Sequence, residues 1–309
     1  MKRVIITGAT GAIGTALIKE CIKKRIEVLV FCHKGSKRND LIPENDLIKK
    51  IYYSLDELES LMPLDSTKYD AFYHLAWEGT TGKARDDMYL QNRNAKYALD
   101  AVSVAKRFGC GSFIGVGSQA EYGRVEGVVK ANSPTFPMVG YGIGKLSAGL
   151  MTRQFAHQLN LRHVWIRVLS IYGPNDNPSS MVMTTIRSLQ NGEMPKLTKG
   201  EQIWDYLYSG DAARAMILIG EMQVDNKIYV LGSGNAKRLR SYVEDIRDVV
   251  SPNAELIFGS IDYYPNQVMH LQADISELEV DLGWRPQISF KEGIKRILSG
   301  EMEDEHSIL

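Results

Sequence analysis

Val4-Ile5-Ile6-Thr7-Gly8-Ala9-Thr10-Gly11-Ala12-Ile13-Gly14 is the stretch that decides the fold of this chain. Val4-Ile5-Ile6 is a short β-branched run of the kind that fills a buried strand. Beyond the glycine-spaced turn, Leu17, Ile18, Cys21 and Ile22 recur at the spacing of one helix face. Strand, glycine turn and helix in this order predict the start of a βαβ dinucleotide site. Gly8 permits the tight turn, Gly11 lets backbone approach a pyrophosphate, and Gly14 allows close helix–strand packing. The helix start at Thr10, Gly11, Ala12 and Ile13 then turns free N–H groups and a positive dipole end toward the phosphates.

Working outward, strands at 3–7, 27–32, 70–75, 111–117 and 163–169 alternate with helices around 11–24, 86–108 and 141–159. This order predicts an α/β chain with a Rossmann-type doubly wound parallel sheet. From about residue 170 the alternation loosens, and Pro174-Asn175-Asp176-Asn177-Pro178 reads as a loop. The expected division is a dinucleotide-binding domain over 1–170 and, over 171–309, mainly a smaller α/β substrate lobe. Some of the later segments are free to return to the first domain. The ligand cleft is expected between the two, beyond the strand carboxyl ends.

Composition narrows the function classes. The 309 residues carry 37 Lys plus Arg against 37 Asp plus Glu, so no bulk charge recommends nucleic acid or an anionic membrane as partner. No window approaches the length of a membrane span. Cys21, Cys32 and Cys110 have no metal-ligand spacing, and no metal is expected. The expected compartment is the cytoplasm.

Tyr141 and Lys145 are the candidate chemistry. Four residues apart on a helix, they share one face. A nearby ammonium favours the phenolate, which predicts a lowered Tyr141 pKa and a general acid or base for a hydroxyl or carbonyl. A Tyr–Lys pair at this spacing also arises often by chance, so its weight comes from the rest of the chain.

With these motifs the chain resembles the extended short-chain dehydrogenase/reductases of the nucleotide-sugar epimerase/dehydratase group. The glycines at 8, 11 and 14, the Tyr141–Lys145 pair and Gly117-Ser118-Gln119-Ala120-Glu121-Tyr122-Gly123 carry the resemblance. So do His74-Leu75-Ala76, Asn92, the Arg167–Pro174 segment (RVLSIYGP), Asp205 through Ala215, and Gly283-Trp284-Arg285-Pro286. The resemblance implies that Ser118 hydrogen-bonds the reacting sugar oxygen, that Tyr141 moves its proton, and that Lys145 holds the nicotinamide ribose. It implies cofactor contacts at Leu75, Ala76 and Asn92, and a homodimer through the helices around 86–108 and 141–159. His74 and His163 are expected to be structural.

The residue ending the second strand usually separates NAD from NADP. Here Val30-Phe31-Cys32-His33-Lys34-Gly35-Ser36-Lys37-Arg38 offers no carboxylate. His33, Lys34, Lys37 and Arg38 are therefore the expected adenosine-side contacts, and cationic charge suits a 2′-phosphate. NADP(H) is the preferred cofactor and NAD(H) the alternative; the same cations would also serve as a solvated loop.

The family's dehydratases place Asp-Glu directly after the catalytic Ser or Thr, where this chain has Gln119 and Ala120. Glu121 is expected to point the other way on a strand-like segment. That leaves net 4-keto reduction of a nucleotide 4-keto-6-deoxyhexose by NADPH as the favoured expectation. A 4-epimerase with tightly bound NAD is the alternative, and a non-catalytic NADP-binding regulator is a reading from another class. Gly200-Glu201-Gln202 and Asn266-Gln267-Val268-Met269 are similar to segments of 6-deoxysugar reductases. The expected substrate-side residues are Trp77, Gln119, Ser170, Arg187, Trp204 and Tyr264. Trp204 and Tyr264 stand where the family carries diphosphate-binding arginines, so either Arg187, Lys196, Lys199 or Arg238 takes over, or the substrate is not an ordinary nucleotide sugar. Trp204 and the tyrosines could stack on a base or sugar, or pack in a core or dimer interface.

Overall fold

Strand β1 (Arg3–Thr7) is buried over its last four residues and passes through the glycine turn into helix α1 (Ala12–Lys23). The structure, a computed structural model, describes residues 1–264 and 267–300. Along the chain follow β2 (Glu27–His33), β3 (Ile48–Tyr53), β4 (Ala71–His74), α2 (Met88–Arg107), β5 (Ser112–Ser118), α3 (Gly140–Gln158) and β6 (Arg162–Val168). Beyond them lie β7 (Ser170–Tyr172), α4 (Met181–Gln190), β8 (Ile203–Trp204), β9 (Tyr206–Tyr208), α5 (Ser209–Glu221) and β10 (Lys227–Leu231). The described chain closes with β11 (Lys237–Arg238), α6 (Leu239–Val250), α7 (Ser276–Leu282) and α8 (Phe290–Leu298). Asn266, in one of the reductase-like segments, lies outside the described residues.

The central sheet has seven strands in the order β10-β6-β5-β4-β1-β2-β3, every neighbouring pair parallel. Its inner strands are buried on both faces, as a parallel sheet between helices requires. The five expected strands and three expected helices lie within one or two residues of their bounds. Two sheet strands were not foreseen. In β3, Lys49 and Lys50 interrupt the apolar pattern because the strand is the sheet edge, where charge blocks further pairing. The other, β10, lies past residue 170 yet pairs with β6, and α5 packs on α1. The chain thus returns to the central sheet before finishing. Two small sheets, β7 with β9 and β8 with β11, belong to the C-terminal part. Tyr172, Val182, Ile186, Leu189, Ile246 and Ile294 form a separate core there.

On one face of the sheet, aromatic rings run across three strands. Phe72 stacks on Phe113 at 5.9 Å, Phe113 on His163 at 5.8 Å, and His163 on Trp165 at 6.2 Å. The register that sets Phe72 opposite Phe113 and Phe113 opposite His163 builds this row. Trp165 needs room, and glycines supply it: an added Cβ would come within 2.3 Å of the indole at Gly115 and Gly117, and 2.8 Å at Gly149. The indole thereby brings β5, β6 and α3 into direct contact. Among the described residues, no helix is long and apolar enough to cross a membrane.

His74 and His163 are both buried and serve the packing. Each has one ring nitrogen on a threonine, Thr7 and Thr152 respectively, both at 3.0 Å. Burial pushes His74 down to about 3 and His163 down to about 4. Both stay neutral in the folded chain while the unfolded chain protonates below about pH 6.5. The unfolded state then binds more protons, so stability falls as pH drops from 6.5 toward 4, by at most about 1.4 kcal/mol per pH unit per histidine. Urea midpoints measured across this range should show the fall, and His163→Phe should make it shallower. An unchanged slope in that variant would remove His163 as a cause.

Candidate active site

The carboxyl ends of β1, β4 and β5 converge because β4 lies between the other two in the sheet. The glycine turn follows β1, and Leu75, Ala76 and Trp77 follow β4. Gly8 has φ +70°, and a Cβ there would come 2.5 Å from the Ala76 nitrogen. Leu75 N donates to the Thr7 carbonyl at 3.2 Å and Ala76 N to Thr7 Oγ1 at 3.3 Å. A Cβ on Gly14 would lie 2.4 Å from the Gly8 carbonyl oxygen, so only glycine lets α1 start this close. At Gly11 a Cβ would meet nothing within 4 Å. No side chain caps α1 at Gly11 and no acid lies in its first turn, which leaves its N-terminal amides for an anion. The turn therefore fits a dinucleotide pyrophosphate against Thr10, Gly11, Ala12 and Ile13.

After β2 the cations divide. Lys34 is ion-paired with Glu57 at 2.6 Å. Lys37 and His33 are exposed. Arg38 Nη2 donates to the carbonyls of Thr10 (2.7 Å) and Asn175 (2.8 Å), spanning from the glycine turn to the loop after β7. No carboxylate ends β2.

Ser118 ends β5, where its Oγ accepts from Ala120 N at 3.2 Å. The start of α3, which carries Tyr141, lies against this turn: a Cβ on Gly142 would come 2.3 Å from the Ala120 carbonyl oxygen. Tyr141 stands in the first turn of α3 and Lys145 one turn later. Lys145 Nζ donates to the Val116 carbonyl at 2.6 Å and lies 3.9 Å from the Trp77 ring centroid, but 5.9 Å from that of Tyr141. Burial pushes Lys145 down to about 7, against the charge of Glu121. The expected lowering of Tyr141 does not occur. Burial raises the phenol above its ordinary value, opposed by the Ser118 hydrogen bond and the charge of Arg85. The ammonium is spent on a carbonyl and an indole face, too far from the phenol to outweigh desolvation.

Gln119 and Ala120 form a short 3-10 turn with Glu121. Glu121 does not point away as a strand residue would, because the turn rotates it inward. It is fully buried, accepts from Ser118 N (2.8 Å) and Trp165 Nε1 (3.0 Å), and pairs with Arg167 Nε at 2.6 Å.

Other expected residues are placed as follows. Trp77 meets Tyr141 edge to face at 6.1 Å and donates Nε1 to Gln91 Oε1 at 2.8 Å. Trp204 Nε1 donates to Ser170 Oγ at 2.7 Å and packs beside the cluster of Tyr122, Leu169 and Leu271. Arg187 is exposed and donates to the Pro178 carbonyl at 3.2 Å. Tyr264 is 78% exposed. Asn92 is on the solvent side of α2; the asparagine facing the site is Asn94, which holds Glu78 through its backbone N–H and carbonyl at 3.1 and 2.9 Å. The i, i+3, i+4, i+7 pattern of Gln91, Asn94, Ala95 and Ala98 would have identified that face. Arg85, whose guanidinium carbon lies 4.5 Å from the Tyr141 ring centroid, has no sequence signal, since it comes from a short 3-10 turn, Gly82–Asp86, ahead of α2.

Removing the Glu121 carboxylate would leave Arg167 buried and unpaired. Glu121→Leu should cost about 3–5 kcal/mol in urea unfolding, and adding Arg167→Met should recover most of it. A loss in the double variant equal to the sum of the losses in Glu121→Leu and Arg167→Met alone would show the pair to be uncoupled.

The sequence profile of the NAD dependent epimerase/dehydratase family matches residues 4–232. CDP-abequose synthase of Salmonella typhimurium strain LT2 is 25% identical over 304 residues, covering 96% of this chain and 97% of that protein. dTDP-4-dehydro-6-deoxyglucose reductase of Escherichia coli is 24% identical over 312 residues, with 96% of each chain covered. The crystal structure of UDP-glucuronic acid 4-epimerase from Bacillus cereus, with UDP-glucuronic acid and NAD, has a TM-score of 0.83 at 20% identity, covering 97% of this chain and 100% of that one.

Proposed function

We propose that this chain, which belongs to the NAD dependent epimerase/dehydratase family, is an enzyme that reduces the 4-keto group of a nucleotide-linked 6-deoxyhexose with NADPH. The observation that carries this reading is that the start of α3, with Tyr141, packs against the turn after Ser118, a Cβ on Gly142 coming 2.3 Å from the Ala120 carbonyl oxygen, in a site whose adjoining positions are Gln119 and Ala120. Neither can serve as the acid or base that loss of water requires. The nearby carboxylate, Glu121, is committed to Arg167, Trp165 and the Ser118 backbone. What this arrangement can catalyse is exchange between a carbonyl and an alcohol.

A nicotinamide dinucleotide bound at the glycine turn supplies the hydride that reaches the carbonyl carbon. The chain's own residues manage the oxygen. Ser118 hydrogen-bonds it as it gains negative charge, and Tyr141 gives it a proton, so a ketone, one hydride and one proton become an alcohol. Solvent then reprotonates the phenolate. Lys145, desolvated beneath Trp77, would hold hydroxyls of the cofactor ribose.

The absence of a carboxylate at the end of β2, with Arg38 at the Thr10 carbonyl, supports NADPH. Lys37 is exposed beside it, while Lys34 is engaged by Glu57. One observation favours the second reading, a 4-epimerase that retains NAD: Arg38 also reaches Asn175, bridging the turn in a way that would retain a cofactor between catalytic cycles. In this proposal residues 1–170 form the cofactor domain, completed by β10 and α5, and the remaining C-terminal segments form the substrate lobe. Two copies would pair through α2 and α3, where Met88, Tyr89, Ile143, Leu150 and Met151 are exposed. Three free, buried cysteines suit the cytoplasm.

Purified protein supplied with a panel of nucleotide 4-keto-6-deoxysugars should oxidise NADPH, and Tyr141→Phe should lower kcat about 10²–10⁴-fold. Turnover that survives the substitution would rule out Tyr141 as the proton donor. For the cofactor, Arg38→Ala should raise the KM for NADPH about tenfold or more while leaving that for NADH nearly unchanged. Equal effects on both would end the case for 2′-phosphate recognition.

A further inference from the structure

We propose that Arg38 has two alternative positions: it straps the glycine turn to the 173–180 loop between β7 and α4, and it gives up that strap when it grips a 2′-phosphate. Whether the bound dinucleotide carries that phosphate then decides how firmly the loop is held. The inference rests on the dinucleotide lying at the glycine turn, as proposed above.

The two positions follow from the shape of a guanidinium. Arg38 Nη2 carries two hydrogens and has two carbonyl acceptors, Thr10 at 2.7 Å and Asn175 at 2.8 Å. A guanidinium grips a phosphate bidentately along one of two edges, Nε with Nη2 or Nη1 with Nη2. Both edges need an Nη2 hydrogen, so neither is free while both carbonyls are held. In the strapped position Arg38 can offer an anion only single bonds from Nε or Nη1. The backbone beneath it is tied down. Arg38 N donates to Ser36 Oγ at 3.3 Å, and Asn39 Nδ2 donates to the His33 carbonyl at 2.9 Å, at the end of β2. The change between positions is therefore a swing of the side chain alone. Arg38 is exposed, so an anion can reach the guanidinium, and exposed Lys37 adds charge beside it.

The far end of the strap is a strained segment. Asn175 has φ +63°, in the left-handed region. Its carbonyl is on Arg38, and its Nδ2 makes a longer contact, 3.4 Å, with Thr15 Oγ1 of α1. The two ends of the loop are held without Arg38. A Cβ on Gly173 would come 2.2 Å from Ser209 Oγ, so the loop leaves β7 pressed against the start of α5. At the other end Arg187 of α4 donates to the Pro178 carbonyl at 3.2 Å, and Ser180 caps α4. Between them Asp176 N donates to the Gly173 carbonyl at 3.2 Å, the bond that spans Asn175. β7, which leads into the loop, carries Ser170 on Trp204, so the strap joins the glycine turn to a segment of the C-terminal part. NAD(H) and NADP(H) differ only at the ribose 2′ position, and a ligand shifts an equilibrium only by what it does differently in the two states. A guanidinium bonds a phosphate more strongly than it bonds neutral carbonyls, so the 2′-phosphate takes Arg38 from the strap and a 2′-hydroxyl does not.

The test reads the loop without needing turnover. Amide hydrogen exchange over residues 173–180 is followed by mass spectrometry in the full chain saturated with NAD⁺ or with NADP⁺, binding of each being measured first. With NADP⁺ the Asp176 amide should exchange about fivefold faster than with NAD⁺, the loss of one hydrogen bond at Asn175. In Arg38→Ala the loop should exchange at the faster rate with either dinucleotide, and NADP⁺ should lose its advantage in affinity over NAD⁺. Equal exchange with the two dinucleotides in the unsubstituted chain would overturn the inference and leave the cofactor site in place. So would a difference that persists in Arg38→Ala. A chain that binds NAD⁺ and not NADP⁺ would overturn both the inference and the NADPH reading. The expected difference in a protein that reduces no 4-keto sugar would instead defeat the proposed reaction and leave the role of Arg38 standing.

Discussion

The Trp165 indole is the contact on which the site depends. Gly115 and Gly117 of β5 and Gly149 of α3 all abut it so closely that a methyl group at any of them would overlap the ring. The spacing between the end of β5 and the face of α3 is therefore set by one flat, fully buried side chain. Ser118 and Tyr141 belong to those two elements, so the same spacing sets how close their hydroxyls lie. In a close-packed interior the cost of an extra methylene is typically 1–3 kcal/mol, enough to displace a helix before the chain unfolds.

The same indole connects packing to electrostatics. Its Nε1 donates to Glu121, which also receives the Ser118 backbone N–H and Arg167. A buried ion pair adds little net stability over an apolar pair of the same shape, because desolvation offsets attraction. Its consequence here is geometric: a fixed acceptor under Ser118, paired with a cation without being opened to the cleft. The glycine turn works by a similar economy of space. Gly8 and Gly14 are required by close backbone approach to Ala76 and by α1 lying on the Gly8 carbonyl, and Gly11 leaves its outer face open.

Much of the fold was legible in the sequence because its inner strands are apolar runs and its helices amphipathic, both local signals. β3 escaped notice since an edge strand carries lysines, and β10 since its return to the sheet is a long-range event. In the site, the glycine turn and the Tyr141–Lys145 spacing are local and could be read. The direction of Glu121 could not, because it depends on a three-residue 3-10 turn in place of a continuing strand. On α2 the helical period turns Asn92 to solvent and Asn94 toward Glu78, a difference a motif match does not show. Arg85 depends on the placement of the short 3-10 turn Gly82–Asp86 and on where α3 begins, which only the folded chain specifies. The lowered Tyr141 pKa expected from spacing failed because the Lys145 side chain, long enough to choose among partners, chose a carbonyl and an indole.

The proposed net reduction of a carbonyl beside Ser118 and Tyr141 is tested by following deuterium from NADPH labelled at the transferable position into a nucleotide 4-keto-6-deoxyhexose. Net reduction puts one deuterium at sugar C4 for each NADPH oxidised. Inversion at C4 of a nucleotide sugar with no net oxidation of NADPH, and no label in the product, would contradict it.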